Sequence, residues 1–136
     1  ISINYYDAWT PHPVSLKAWE QWAGKPLMIT EFYVKGADSG LPNKSGVGWI
    51  VKTQNDRGLF YQNFTLGLLE SGVCVGWHWF KYMDNDPSDR SADPSNRDSN
   101  KGIVTSRYVE YAPLLDRMAE LNMQVYDLAD YLDKQR

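Results

Sequence analysis

The chain has 136 residues, 43% hydrophobic and 23% charged, which is the size and balance of one globular domain with room for a core. Seventeen acidic against fourteen basic residues give a net charge of −3 with no basic block, which argues against nucleic acid or an anionic membrane as a partner. The apolar stretches are only a few residues long, so none is a membrane span, and the single cysteine, Cys74, excludes an internal disulfide framework or a thiolate metal cluster. Ile1 to Tyr6 is β-branched and aromatic and reads as a short strand, ended by Asp7 and the Thr10-Pro11-His12-Pro13 turn. It has neither the basic region nor the apolar core of a signal peptide. A chain that opens inside such a run, without an initiating Met, is expected to be cut from something longer.

Val14 to Ala23 carries Leu16, Trp19 and Trp22 at helical spacing, with Gly24 as its stop. Pro26 to Phe32 is a continuous apolar run apart from Thr30 and Glu31, the pattern of a strand covered on both faces. A loop follows from about Lys35 to Gly48. A helix over roughly Thr53 to Ser71 then places Leu59, Phe60, Phe64, Gly67 and Leu68 on its inner side. Val73 to Phe80 is the third strand, with Cys74 as a small buried hydrophobe. The polar segment Asp84 to Lys101 lacks periodicity and is either functional or disordered. Helices over about Tyr111–Asn122 and Val125–Leu132 close the chain, with Pro113 in the first turn of the former.

The order β-α-β-α-β-loop-α implies an α/β fold with parallel strands and helices packed outside. Three such strands form either a small open sheet or three of the eight strands of a TIM barrel. No Gly-rich phosphate loop follows a strand, which argues against a nucleotide site.

In a parallel barrel the chemistry sits at the C-terminal ends of the strands. There the sequence offers Asn4-Tyr5-Tyr6-Asp7, Thr30-Glu31-Phe32 and Trp77-His78-Trp79-Phe80 followed by Asp84-Asn85-Asp86. Glu31 is the most unusual of these, because a carboxylate closing an apolar strand is costly unless it is paired or used. A surface ion pair with Lys35 is the plain alternative. Alternation puts Leu27, Ile29 and Glu31 on one face, and Asn4 and Tyr6 together on one face of the first strand. If both faces point inward, the Tyr6 phenol can donate to Glu31 and orient one oxygen toward an anomeric carbon. His78 and Trp79 must point opposite ways, and Trp79 is preferred as the sugar-stacking platform. Six Trp and nine Tyr suit either a glycan cleft or an aromatic core. The acidic loop residues Asp84, Asp86, Asp89, Asp93 and Asp98 fit no EF-hand spacing and read as turn and cap residues, with no metal or other cofactor expected.

Ile3-Asn4-Tyr5-Tyr6 and Ile29-Thr30-Glu31-Phe32 as strand ends, with a Trp-bearing final strand, resemble barrel strands six to eight of clan A glycoside hydrolases. More narrowly, Thr30–Tyr33, Val51–Asn63 with Phe64, and Gly76–Phe80 leading into Asp84-Asn85-Asp86-Pro87 are similar to β-agarases of glycoside hydrolase family 50. The stretch Asn96 to Gly102 fits the same picture. The resemblance implies that residues 1–136 are the C-terminal portion of a (β/α)8 catalytic domain, present as a partial barrel. It implies Glu31 as the nucleophile of a retaining enzyme and Tyr6 as its orienting residue, while the strand-end positions themselves mark Asn4, Tyr6, His78, Trp79 and Asn85 as substrate-binding residues. It also implies a β-1,4 linkage in agarose or a related galactan, a polysaccharide or oligosaccharide partner, and a secreted or periplasmic bacterial setting. The acid/base glutamate of clan A has no match here, since the only other glutamates, Glu20, Glu70, Glu110 and Glu120, are all expected in helical segments. The chain alone is therefore expected to be inactive, and unpaired strand edges would allow self-association. The alternatives are a non-catalytic carbohydrate-binding α/β module and a small α/β domain whose aromatics are simply core.

Overall fold

Local chemistry sets the helix boundaries. The computed structural model describes residues 1–136, with β1 (Ser2–Asn4), α1 (Pro13–Ala23), β2 (Leu27–Glu31), β3 (Lys35–Gly36), a 3₁₀ turn (Ala37–Ser39), β4 (Ile50–Val51), α2 (Gln54–Ser71), β5 (Cys74–Trp77), α3 (Ala112–Asn122) and α4 (Val125–Asp133). Pro13 starts α1, where its missing N–H costs nothing. α2 starts with a capping box. The Thr53 hydroxyl accepts from the Asp56 N–H, and the Asp56 carboxylate accepts from the Thr53 N–H. It stops at Gly72, whose φ of 69° is easy only for glycine. Gly58 lets α3 lie close, since a Cβ there would meet the Arg117 Cβ at 2.6 Å.

The result is a mixed α/β domain. β1, β2 and β5 form a parallel sheet in the order β1-β2-β5, with α1 connecting the first pair and α2 the second. The core lies on one face of this sheet, where Leu27, Ile29 and Phe32 pack with Leu16 of α1, Phe60, Phe64 and Leu68 of α2, and Leu114 and Met118 of α3. Phe32 stacks on Phe64 at 4.5 Å between ring centroids. The sheet does not close. β1 and β5 are its edges, and Val75 on β5 is 72% exposed. No helix is long and apolar enough to cross a membrane.

Several elements differ from the sequence reading. The strands are shorter as regular ladders, but their pairing runs on: Tyr5 N–H donates to Glu31 O (2.8 Å), His78 N–H to Ile29 O (2.9 Å) and Phe80 N–H to Phe32 O (3.1 Å). At the start of the expected loop, Lys35–Gly36 pairs in parallel with Ile50–Val51 just past its end. Two-residue strands leave no period to read. Leu59, expected on the inner side of α2, is exposed, since the helix packs by Phe60, Phe64 and Leu68 and turns Leu59 away. The Asp84–Lys101 segment is neither helical nor strand-like, yet it is built around buried Asp84, Asn96, Ser99, Asn100 and Lys101. Asp86, Asp89 and Asp93 each accept from the serine two residues on, so they hold turns.

The expectation that Leu27, Ile29 and Glu31 share a face is corrected by a β-bulge. The β1–β2 register passes from Ile3↔Ile29 to Asn4↔Glu31, so β2 carries an extra residue. Leu27 and Ile29 are in the helix-side core, and so is Phe32, an odd number of residues later, while Glu31 lies outside it. Strict alternation cannot place Ile29 and Phe32 on one side. The bulge does, and it moves Glu31 to the face without helices.

Candidate active site

Glu31 ends the middle strand of the sheet and is half-buried. Its side chain has one protein donor: the Tyr6 hydroxyl donates to Glu31 Oε2. Tyr6 is held in turn by the ring of Tyr33, set edge-on at 5.3 Å. Burial, and then the bond to Glu31, push the Tyr6 phenol well above its ordinary range, so it stays protonated and remains a donor. Burial, with Asp7 and Glu31 nearby, pushes the Tyr33 phenol up to about 12. Its hydroxyl donates to Val47 O at 2.8 Å. No ion pair joins Glu31 to Lys35, whose ammonium donates instead to the carbonyls of Asn43, Ser45 and Gly46 at 3.3 Å each.

Tyr33, Phe80 and Lys101 complete the wall beside Glu31, and sequence reasoning assigned a site role to none of the three. The Tyr33 and Phe80 rings lie 5.9 Å apart, and the Lys101 ammonium sits over both, at 4.6 Å and 5.7 Å from their centroids. Burial, with Lys35 and Lys81 near, pulls the Lys101 ammonium down to about 8, while Asp93 and Glu31 act in the opposite direction. Alternation from His78 would have found Phe80. Lys101 carries no such signal, because it arrives from seventy residues down the chain.

The other predicted residues divide. Asn4 lies beside the site, accepting at its Oδ1 from the Thr30 hydroxyl (2.9 Å). His78 is exposed just past the end of the edge strand β5. Trp79, preferred as the sugar platform, belongs instead to the helix layer. Its ring meets Phe32 at 5.5 Å, Phe60 at 6.2 Å and Tyr61 at 6.2 Å, and its Nε1–H donates to Lys101 O at 2.7 Å. The Arg57 guanidinium lies 5.3 Å from its centroid. Trp77 is turned the same way, donating to the Tyr61 hydroxyl at 2.9 Å. The alternation that separates His78 from Trp79 puts both indoles against α2, and Phe80 takes the inner side. Asn85 stands further out, accepting from Lys81 Nζ at 2.6 Å and lining a separate polar cleft with Asp84, Arg107 and Tyr111. No cluster of three His, Cys, Asp or Glu comes together to hold a metal.

A carboxylate at the C-terminal end of a parallel strand, aimed away from the helices and oriented by a phenol, is an arrangement suited to attack on an electrophilic carbon. Comparison with known proteins points the same way. The chain is homologous to glycoside hydrolases of the β-agarase kind over most of its length. Agarase B of Vibrio sp. (strain JT0107), a β-agarase, is 35% identical over 106 residues, which is 76% of this chain and 10% of that protein. Agarase A of the same strain, also a β-agarase, is 30% identical over 102 residues, 75% of this chain and 10% of that protein. The crystal structure of BpGH50 is 46% identical, with a TM-score of 0.86 over 98% of this chain and 27% of that one. An exo-β-agarase structure is 26% identical, with a TM-score of 0.77 over 94% of this chain and 16% of that one. The chain thus spans about a tenth of the length of the curated relatives it matches. No family model matches it.

Proposed function

We propose that residues 1–136 are the C-terminal part, strands six to eight with their helices, of a clan A (β/α)8 catalytic domain. That domain would belong to a retaining glycoside hydrolase cleaving β-1,4 linkages in agarose or a related galactan. The observation that carries this reading is Glu31 itself, which ends the central strand of an unclosed parallel sheet with the Tyr6 hydroxyl as its one protein donor. The likeness to β-agarases supports the substrate class, and the unpaired edges of β1 and β5 suit strands that continue a barrel.

In this reading Glu31 is the nucleophile. Tyr6 directs one carboxylate oxygen at the anomeric carbon. The C–O bond to Glu31 forms as the glycosidic C–O bond breaks, and a second carboxylic acid protonates the leaving oxygen. The same residue then deprotonates the water that releases the sugar. Retaining pairs stand about 5–5.5 Å apart, and here the partner is a glutamate at the end of a fourth strand outside these residues. Asn4 and His78 contact substrate on the inner face, and Asn85 contacts it further along the rim. The setting is the bacterial periplasm or exterior, where the polysaccharide is met, and the bare edges allow the isolated chain to self-associate.

The test is a chimera in which this chain replaces the matching segment of agarase B of Vibrio sp. (strain JT0107). The isolated chain should not hydrolyse agarose, the chimera should, and Glu31→Gln should abolish its activity. A chimera that keeps its activity with Gln at position 31 would sink the nucleophile assignment.

A further inference from the structure

Two tryptophans not used by the chemistry above form an open aromatic surface. Trp9 and Trp49 stack with ring centroids 4.5 Å apart and planes 25° from parallel, yet they remain 48% and 36% exposed. They are held from beneath. Trp9 sits edge-on against Phe60 at 5.6 Å, and Asn63 Nδ2 donates to Trp9 O (2.7 Å) and to the Thr10 hydroxyl (2.9 Å). Trp49 O accepts from Lys35 N–H at 2.9 Å. The stack is also continuous with the Glu31 wall. Gly48 lies so close to Tyr33 that a Cβ would stand 3.0 Å from its ring, and that ring supports Tyr6. Trp9 also lines a hollow of about 440 Å³, together with the exposed Ile50 and Leu59 and with Lys52 and Asp56. Its size is within the range of small-molecule sites.

The chemistry of this surface selects its occupant. Exposed apolar area of this kind is unfavourable in water and marks an interaction site when it is contiguous. Rigid, supported aromatic rings lose little conformational freedom on binding. A flat indole face suits the axial C–H face of a pyranose. One cation and one anion at the margin can donate to and accept from hydroxyls, while their opposite signs select neither an anionic nor a cationic ligand. We propose that Trp9 and Trp49 are a sugar-stacking platform that binds a neutral pyranoside unit of the glycan, further along the chain than the linkage at Glu31. This rests on the glycoside hydrolase reading and extends it to two residues beyond the nucleophile.

The test uses the whole chain labelled with ¹⁵N at its indole nitrogens and titrated with a neoagaro-oligosaccharide. The Trp9 and Trp49 resonances, assigned by Trp9→Phe and Trp49→Phe, should shift saturably. Trp9→Ala and Trp49→Ala should each weaken binding about tenfold. Trp9→Phe should retain most of the affinity, which separates a lost ring from a misfolded chain. Trp22→Ala, remote on α1 and 82% exposed, should bind as the wild type. Unmoved indoles, or alanine variants of undiminished affinity, would overturn the platform. So would indole shifts produced by dilution alone, which would mark contact with a second copy of the chain. Failure of the hydrolase reading shows elsewhere, as an inactive chimera whose isolated segment still titrates at both indoles.

Discussion

Asp84 and Glu31 are two carboxylates near the same rim, and their surroundings are opposites. Asp84 is fully buried and accepts four bonds. Lys101 N–H (2.8 Å) and Gly102 N–H (2.6 Å) reach one oxygen, and Asn100 Nδ2 (2.8 Å) and the Tyr111 hydroxyl (2.8 Å) reach the other. It also offsets the buried Arg57, whose guanidinium burial pulls down to about 10 and Asp84 pushes back up. Glu31 accepts from Tyr6 and has acceptor capacity left over. A carboxylate with every acceptor site filled organises the chain around it. One that is oriented by a single donor is placed to meet something else. That contrast separates the structural acid of this rim from the one proposed as the nucleophile.

Substitutions should separate the two roles, and the largest effect falls on Glu31. In the agarase B chimera, Glu31→Gln should lower kcat by about 10⁴-fold or more, the scale of losing a nucleophile. In the isolated chain the same change should alter unfolding free energy by no more than about 0.5 kcal/mol. Asp84→Ala should do the reverse in the isolated chain, costing about 3–5 kcal/mol in urea unfolding because it strands buried donors and the Arg57 charge. Equal stability losses at the two positions would break the comparison. Tyr6→Phe removes one hydrogen bond to a charged group and should cost the chimera roughly 10- to 150-fold in kcat/KM, from about 1.5–3 kcal/mol.

The smallest effect is a pH dependence at Lys101, which touches both regions. Its folded pKa is depressed to about 8, so between pH 8 and the ordinary lysine range the unfolded chain binds more protons than the folded one. Unfolding free energy therefore rises with pH across that window. Measured against Lys101→Met, which lacks this titration, the wild type should gain stability from pH 8 to 10. A flat difference would mean the ammonium is better solvated than its place over Tyr33 and Phe80 implies.

Much of this was legible in the sequence because it is local. The three parallel strands, the helices with their Gly24 and Gly72 stops, and the strand-end position of Glu31 all follow from short-range pattern and capping chemistry. That Tyr6 can reach Glu31 was legible because the two residues end neighbouring parallel strands, although the bulge decides the face that Glu31 takes. Trp79 was misread because alternation says that His78 and Trp79 part company but not which of them meets the helices. The Trp9–Trp49 stack joins residues forty positions apart in two irregular segments, where no periodicity exists to read.

The sequence by itself determined an α/β order, a lone carboxylate closing an apolar strand, and the phenol able to orient it. Each is set by nearest-neighbour sterics and side-chain period. Only the tertiary structure decided that a bulge turns Glu31 away from the core, that Trp79 packs inward while Phe80 faces the site, and that Lys101 caps Tyr33. Those outcomes depend on one extra residue in a ladder and on cations delivered from distant loops. Packing settles them through burial and charge, and local propensity holds no record of either.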